Sequence, residues 1–95
     1  MAKLIVTAHL NPTGTDALNE YLEVIKVLNE KAQAKPLAKY EINETLIGSM
    51  ELSHDAIMEF PNETCIHQLF GSEEYQNIVN FREEAFTKVE AFISK

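Results

Sequence analysis

Two periodicities alternate along the chain. From Lys3 to Leu10 every second residue is apolar: Leu4, Val6, Ala8 and Leu10 share one face, and Lys3, Ile5, Thr7 and His9 share the other. That alternation predicts a β-strand with one buried face. Asn11-Pro12-Thr13-Gly14 interrupts it, and Thr13 followed three residues later by Asp16 resembles a capping box at the start of a helix. Leu18, Tyr21, Leu22, Ile25, Leu28 and Ala32 then recur at helical spacing and predict one apolar stripe, with the helix stopping before Pro36. Alternation resumes over Leu37–Ile47, a second strand with Ala38, Tyr40, Ile42 and Leu46 on one side. Gly48-Ser49 supplies a turn, and Glu51–Phe60 reads as a third strand in hairpin register with the second. On it Leu52, His54, Ala56, Met58 and Phe60 share a face, and Ser53, Asp55, Ile57 and Glu59 share the reverse.

Pro61 ends that strand, and Asn62 is a good N-cap for a short helix carrying Cys65, Ile66, Leu69 and Phe70, closed by Gly71. Ser72-Glu73-Glu74 restarts a helix whose stripe is Tyr75, Ile78, Val79, Arg82 and Phe86. Lys88–Ile93 is the last strand. The order is β-α-β-β-α-β with the second helical unit split in two. This is the ferredoxin-like α+β arrangement: one four-stranded antiparallel sheet with its helices on one face. The uncovered face should then be polar if it meets water. Ile5, Ile57 and Phe92 fall on that side among Thr7 and Ser53, so it is only half polar. Such a face suits a second subunit, and a homodimer through sheet faces is expected.

Size and charge sharpen this picture. The 95 residues form one expected domain, residues 1–95, which as a monomer buries only about 60–65% of its unfolded surface. Eight basic against fifteen acidic side chains give a net charge of −7, with no basic cluster, so no nucleic-acid partner is expected. No apolar run approaches the roughly 20 residues of a membrane-spanning helix, so no membrane partner is expected either. A single cysteine permits no internal disulfide and suits a reducing, cytoplasmic setting.

The words Glu59-Phe60-Pro61-Asn62 and Ser72-Glu73-Glu74-Tyr75-Gln76, followed by Arg82, resemble a domain-of-unknown-function family of the dimeric α+β barrel superfamily. Its pattern closes strand three with EFP-S-x-E, continues with SPEYQ and places an Arg seven residues after that Tyr. Tyr21 matches its helix-one Tyr and Gly48 its Gly closing strand two. Asn11-Pro12 stands where the family has an acidic residue before Pro, Ala34-Lys35 replaces its Gly-Gly, and Glu73 replaces a Pro. The resemblance implies a homodimer with facing sheets. Sister families include cofactor-free monooxygenases, isomerases and dehydratases, alongside members without a demonstrated reaction, so no cofactor is expected.

Four side chains are candidates for chemistry. Arg82 lies on an otherwise apolar stripe, where a guanidinium needs a carboxylate such as Glu59 or Glu74, or else holds an anionic ligand through paired hydrogen bonds. His54 shares the face of Ala56 and Phe60 and so points toward the helices. There it would serve as a semi-buried general acid or base, or as a hydrogen-bonded structural histidine. Tyr21 and Tyr75 sit on apolar helix stripes, either packed in the core or extending hydroxyls into a ligand pocket between helices and sheet. No metal site is expected. His9, His54 and His67 are scattered, and Cys65 and His67 point about 200° apart on a helix. Glu63 and His67 share a helix face but read as a surface pair, Cys65 reads as a core residue, and His9 reads as facing the partner subunit. The sequence therefore supports a small-molecule-binding protein, a cofactor-independent enzyme on a small anionic or aromatic substrate, or a non-catalytic interaction dimer.

Overall fold

The computed structural model describes residues 1–48 and 54–94. Strands β1 (Ala2–Leu10), β2 (Lys35–Glu41), β3 (His54–Phe60) and β4 (Phe86–Ser94) form one antiparallel sheet in the order β2-β3-β1-β4. Helices α1 (Thr15–Lys31), α2 (Glu63–Phe70), α3 (Glu73–Gln76) and α4 (Val79–Ala85) connect them. This is the ferredoxin-like βαββαβ fold expected from the alternating periodicities, with its second helical unit in three pieces.

Pairing register assigns every strand residue to a face. Leu4 stands between Met58 and Ile93, and Ala8 between His54 and Val89, on the helix-covered side. Phe60, Ile66 and Tyr75 are the deepest large side chains of the core beneath the helices, joined by Ala2, Leu4, Leu28, Leu69 and Ile78. On the other side a single apolar row crosses all four strands, Ala38–Ile57–Ile5–Phe92, one residue from each. The rows beside it are polar: Lys35–Glu59–Lys3–Ser94 on one flank and Tyr40–Asp55–Thr7–Glu90 on the other.

Several boundaries move. The capping box does not form, because Asn11 Oδ1 accepts both the Thr13 N–H (3.2 Å) and the Thr13 hydroxyl (3.0 Å). Gly14 becomes the N-cap instead. A Cβ at Gly14 would lie 2.2 Å from the Glu84 carbonyl oxygen, so only glycine lets the start of α1 meet the end of α4 this closely. Asn11 ties the same junction from below, its backbone N–H donating to Ala85 O and its Nδ2 to Glu84 O, each at 2.9 Å.

The buried side of α1 carries Ala17, Tyr21 and Leu28, while Leu18 is half-buried and Leu22 exposed. The stripe is thus rotated toward Ala17 from its expected centre. The helix ends in a Schellman motif, Gln33 N–H on Glu30 O and Ala34 N–H on Asn29 O, with Gln33 at φ 61° where glycine is usual.

Strand β2 begins before Pro36, not after it. As an edge strand it can hold a residue that lacks an N–H, and the register shifts between Pro36 and Ala38. It ends at Glu41 instead of Ile47, and Leu46 and Ile47 are fully exposed in the segment beyond. Gly48 keeps a positive φ of 105°. The expected placements of Ser49, Glu51, Leu52 and Ser53 lie outside the described residues. Phe86 opens β4 instead of closing a helix stripe.

The caps after β3 are as expected. Asn62 Oδ1 accepts from the Cys65 N–H (2.9 Å), and the Ser72 hydroxyl accepts from the Tyr75 N–H (3.1 Å) while donating to Leu69 O (2.7 Å).

Candidate functional site

A cleft of about 450 Å³ opens between α1 and the sheet. Its walls come from the alternation of β1, which turns Val6, Ala8 and Leu10 toward the helices, and from Leu18 and Leu22 on the near edge of α1. Ala56 forms part of the sheet wall, and Phe86 contributes a ring. Lys39, Glu41 and His54 stand at the end of the cleft formed by β2 and β3. Register puts all three on the helix-facing side, with Glu41 directly opposite His54. Tyr40 and Asp55 border the same end, but alternation turns them to the opposite face.

His54 therefore lies on the expected face, though exposed instead of semi-buried. It is the first described residue of β3, at the rim where the helices no longer cover the sheet. Leu10 and Leu22 remain 38% and 48% exposed, apolar surface held apart in a concavity.

Tyr21, Tyr75 and Arg82 come together elsewhere. The two hydroxyls lie 2.9 Å apart in the buried interior, and Arg82 Nη1 donates to Tyr75 Oη at 3.1 Å. The guanidinium carbon stands 5.8 Å from the centroid of the Tyr75 ring. Helical spacing explains half of this cluster: Tyr75, Ile78, Arg82 and Ala85 form one inward face, so the arginine stem starts toward the core and its head returns to the phenol. Tyr75 also packs edge-on against Tyr21 and Phe70, and Tyr21 against Phe86.

Burial, reinforced by the Tyr75 hydroxyl, pushes the Tyr21 phenol well above the ordinary phenol range, against the opposing pull of the Arg82 charge. The hydrogen bond to Tyr75 raises the Arg82 guanidinium in turn. Neither Glu59 nor Glu74 pairs with Arg82. Glu74 meets Lys31 at 3.6 Å, and the Tyr75 hydroxyl occupies the guanidinium in place of a carboxylate. None of the three cluster residues lines the cleft.

The other candidates are dispersed. Half-buried Cys65 packs against the core and lines a second crevice of about 440 Å³ between the end of α1 and α2. Glu63 and His67 are exposed, and His9 is half-buried on the sheet face away from the helices. Among the described residues no three His, Cys, Asp or Glu side chains gather closely enough to hold a metal ion. Among the same residues no helix is long and apolar enough to cross a membrane. Leu10, Leu22 and Lys39 carry no signal in the sequence that marks them as site residues. Only the register of β1 and β2 and the rotation of α1 bring them to one cavity.

A four-stranded antiparallel sheet with helices on one face is the ferredoxin-like α+β architecture. Within that class the chain belongs to a family described as a domain of unknown function, DUF1330, whose pattern matches residues 4–94. No functionally curated protein matches the sequence. The chain is similar in structure to RPA0582, a protein of unknown function from Rhodopseudomonas palustris. The TM-score is 0.88 at 19% identity, covering 99% of this chain and 80% of that one. It is also similar to an uncharacterized NIPSNAP domain protein from Burkholderia xenovorans, with TM-score 0.66 at 11% identity over 100% and 93% of the two chains. An antibiotic biosynthesis monooxygenase gives TM-score 0.56 at 16% identity, with coverage of 100% and 97%. At such identities the likeness is one of fold.

Proposed function

We propose that the helix–sheet cleft binds a small metabolite, its apolar body against Leu10, Leu22 and Phe86 and its polar end against His54. The observation that carries this reading is the exposed apolar surface of Leu10 and Leu22, facing into a cavity whose volume lies in the range of small-molecule sites. Covering such surface releases roughly 25 cal/mol for each Å² removed from water. A metabolite-library thermal shift tests it. A ligand at about 100 times its Kd adds about 2.7 kcal/mol, several degrees for a domain of this size. Hits are expected with the native chain and none with Leu22→Lys. Equal shifts in both proteins, or none in either, contradict the reading.

A cofactor-independent reaction is a second reading, supported by the place of His54 at the cleft mouth. An imidazole there can act as general acid or base on a bound substrate, as a monooxygenase-, isomerase- or dehydratase-like step requires. Tyr21, Tyr75 and Arg82 enter this proposal as the support of the Phe86 wall. A direct role in holding an anionic ligand would fall to the guanidinium's remaining N–H donors.

The apolar row Ala38–Ile57–Ile5–Phe92, with Phe92 51% exposed, supports assembly of two copies through their open sheet faces. Light scattering behind size exclusion is expected to give a dimer that Phe92→Glu converts to monomer. A native monomer at micromolar concentration would leave that face without a role in assembly.

A further inference from the structure

Taking the cleft to be a ligand site, we infer that its ligand is uncharged: a mostly hydrocarbon body ending in one hydrogen-bonding oxygen, as in a phenol or a ketone. The inner walls supplied by Val6, Ala8, Leu18, Ala56 and Phe86 carry no charge and no side-chain hydrogen-bonding group. Any charged group seated there would lose its water without compensation.

On the helix side of the mouth the two charged side chains, Lys39 and Glu41, are of opposite sign, and Asp55 borders the mouth from the other face. Lys39 and Glu41 are two residues apart on β2, so both project to the helix side, one positive and one negative. An entering carboxylate meets Lys39 only beside Glu41, and an entering ammonium meets Glu41 only beside Lys39, so neither sign finds a net attraction from this pair. Arg82, the group best shaped for a carboxylate, lies outside the cleft with its Nη1 on the Tyr75 hydroxyl. The uncharged hydrogen-bonding group that the helix side of the mouth offers a ligand head is His54, opposite Glu41 in register. Its imidazole can donate to a ketone or phenolic oxygen, or accept from a phenol, without any net charge being buried.

Three probes with one body and three heads test this at pH 7: para-ethylphenol, para-ethylbenzoate and para-ethylbenzylamine, titrated by calorimetry with amide chemical shifts locating each. The phenol is expected to bind in the cleft at least about tenfold more tightly than either charged analogue, a ratio that corresponds to about 1.4 kcal/mol. His54→Leu is expected to weaken the phenol several-fold and to leave ethylbenzene unchanged. If the benzoate or the amine binds in the cleft as tightly as the phenol, the assignment of an uncharged ligand is overturned and the cleft remains a binding site. If none of the probes, ethylbenzene included, shifts the cleft amides, the ligand-site reading itself falls and this inference with it.

Discussion

The protein has two polar centres close to one another, and they differ in how far the protein has already satisfied them. In the Tyr21–Tyr75–Arg82 cluster, buried hydroxyls meet each other and a guanidinium, and three aromatic edges pack around them. At the cleft, His54, Lys39 and Glu41 stand at the rim of an apolar hollow that the protein leaves open. Candidate residue types alone would favour the first, since an arginine flanked by tyrosines suggests an anion site. Geometry ties it to the framework, because the two phenols meet each other and one guanidinium nitrogen donates to Tyr75 Oη. Phe86 links the two regions, packing edge-on with Tyr21 and contributing to the cleft wall.

The comparison breaks most visibly at Tyr75. Tyr75→Ala removes a fully buried ring that three partners contact and is expected to cost about 3–5 kcal/mol, measured by urea unfolding. Tyr75→Phe keeps the ring but leaves Arg82 Nη1 and the buried Tyr21 hydroxyl without their partner, an expected loss of about 1–3 kcal/mol. Arg82→Met is expected to lose only about 1 kcal/mol, because Tyr75 and Tyr21 remain paired. Ligand affinity in the cleft should stay within about threefold of native. A loss of tenfold or more would move Arg82 from framework to ligand contact and undo the distinction.

A pH titration sharpens the same point. Above the unfolded phenol value of about 10 the denatured chain releases the Tyr21 proton while the native chain keeps it. The native state then binds more protons, so this contribution to stability is complete below pH 10 and is lost as pH rises further. Denaturant unfolding between pH 8 and 11 should show a shallower decline in Tyr21→Phe than in the native chain. Equal slopes would mean that Tyr21 does not retain its proton. The smallest stability effect is expected at the cleft. His54→Leu and Leu22→Lys replace exposed side chains and should stay within about 0.5 kcal/mol of native while abolishing or weakening ligand binding.

The sequence made the elements and half of the sealed cluster legible. Tyr75 and Arg82 are seven residues apart, a helical spacing that survives the break between α3 and α4, so their meeting was foreshadowed by the stripe. Tyr21 is 54 residues away from Tyr75, and nothing local specifies that it closes the cluster. The buried stripe of α1 lies a fraction of a turn from the one the leucines suggest: α4 meets the start of α1 closely at Gly14, Ala17 is buried, and Leu18 and Leu22 turn to the cleft wall. Pro36 read as a barrier and proved to be an edge-strand residue, since only the strand order reveals which residues need no N–H. Strand β2 ends at Glu41, short of the alternation that continues through Ile42 and Leu46.

The central claim is that the open cleft, not the sealed cluster, is where this protein meets a small molecule. Amide chemical-shift mapping of the native protein titrated with para-ethylphenol tests it most directly. The account predicts shifts at Val6, Ala8, Leu22, Ala56 and Phe86 that saturate together with one Kd. Shifts centred on Arg82 and Tyr75, or on the crevice around Leu28 and Leu69, would contradict it.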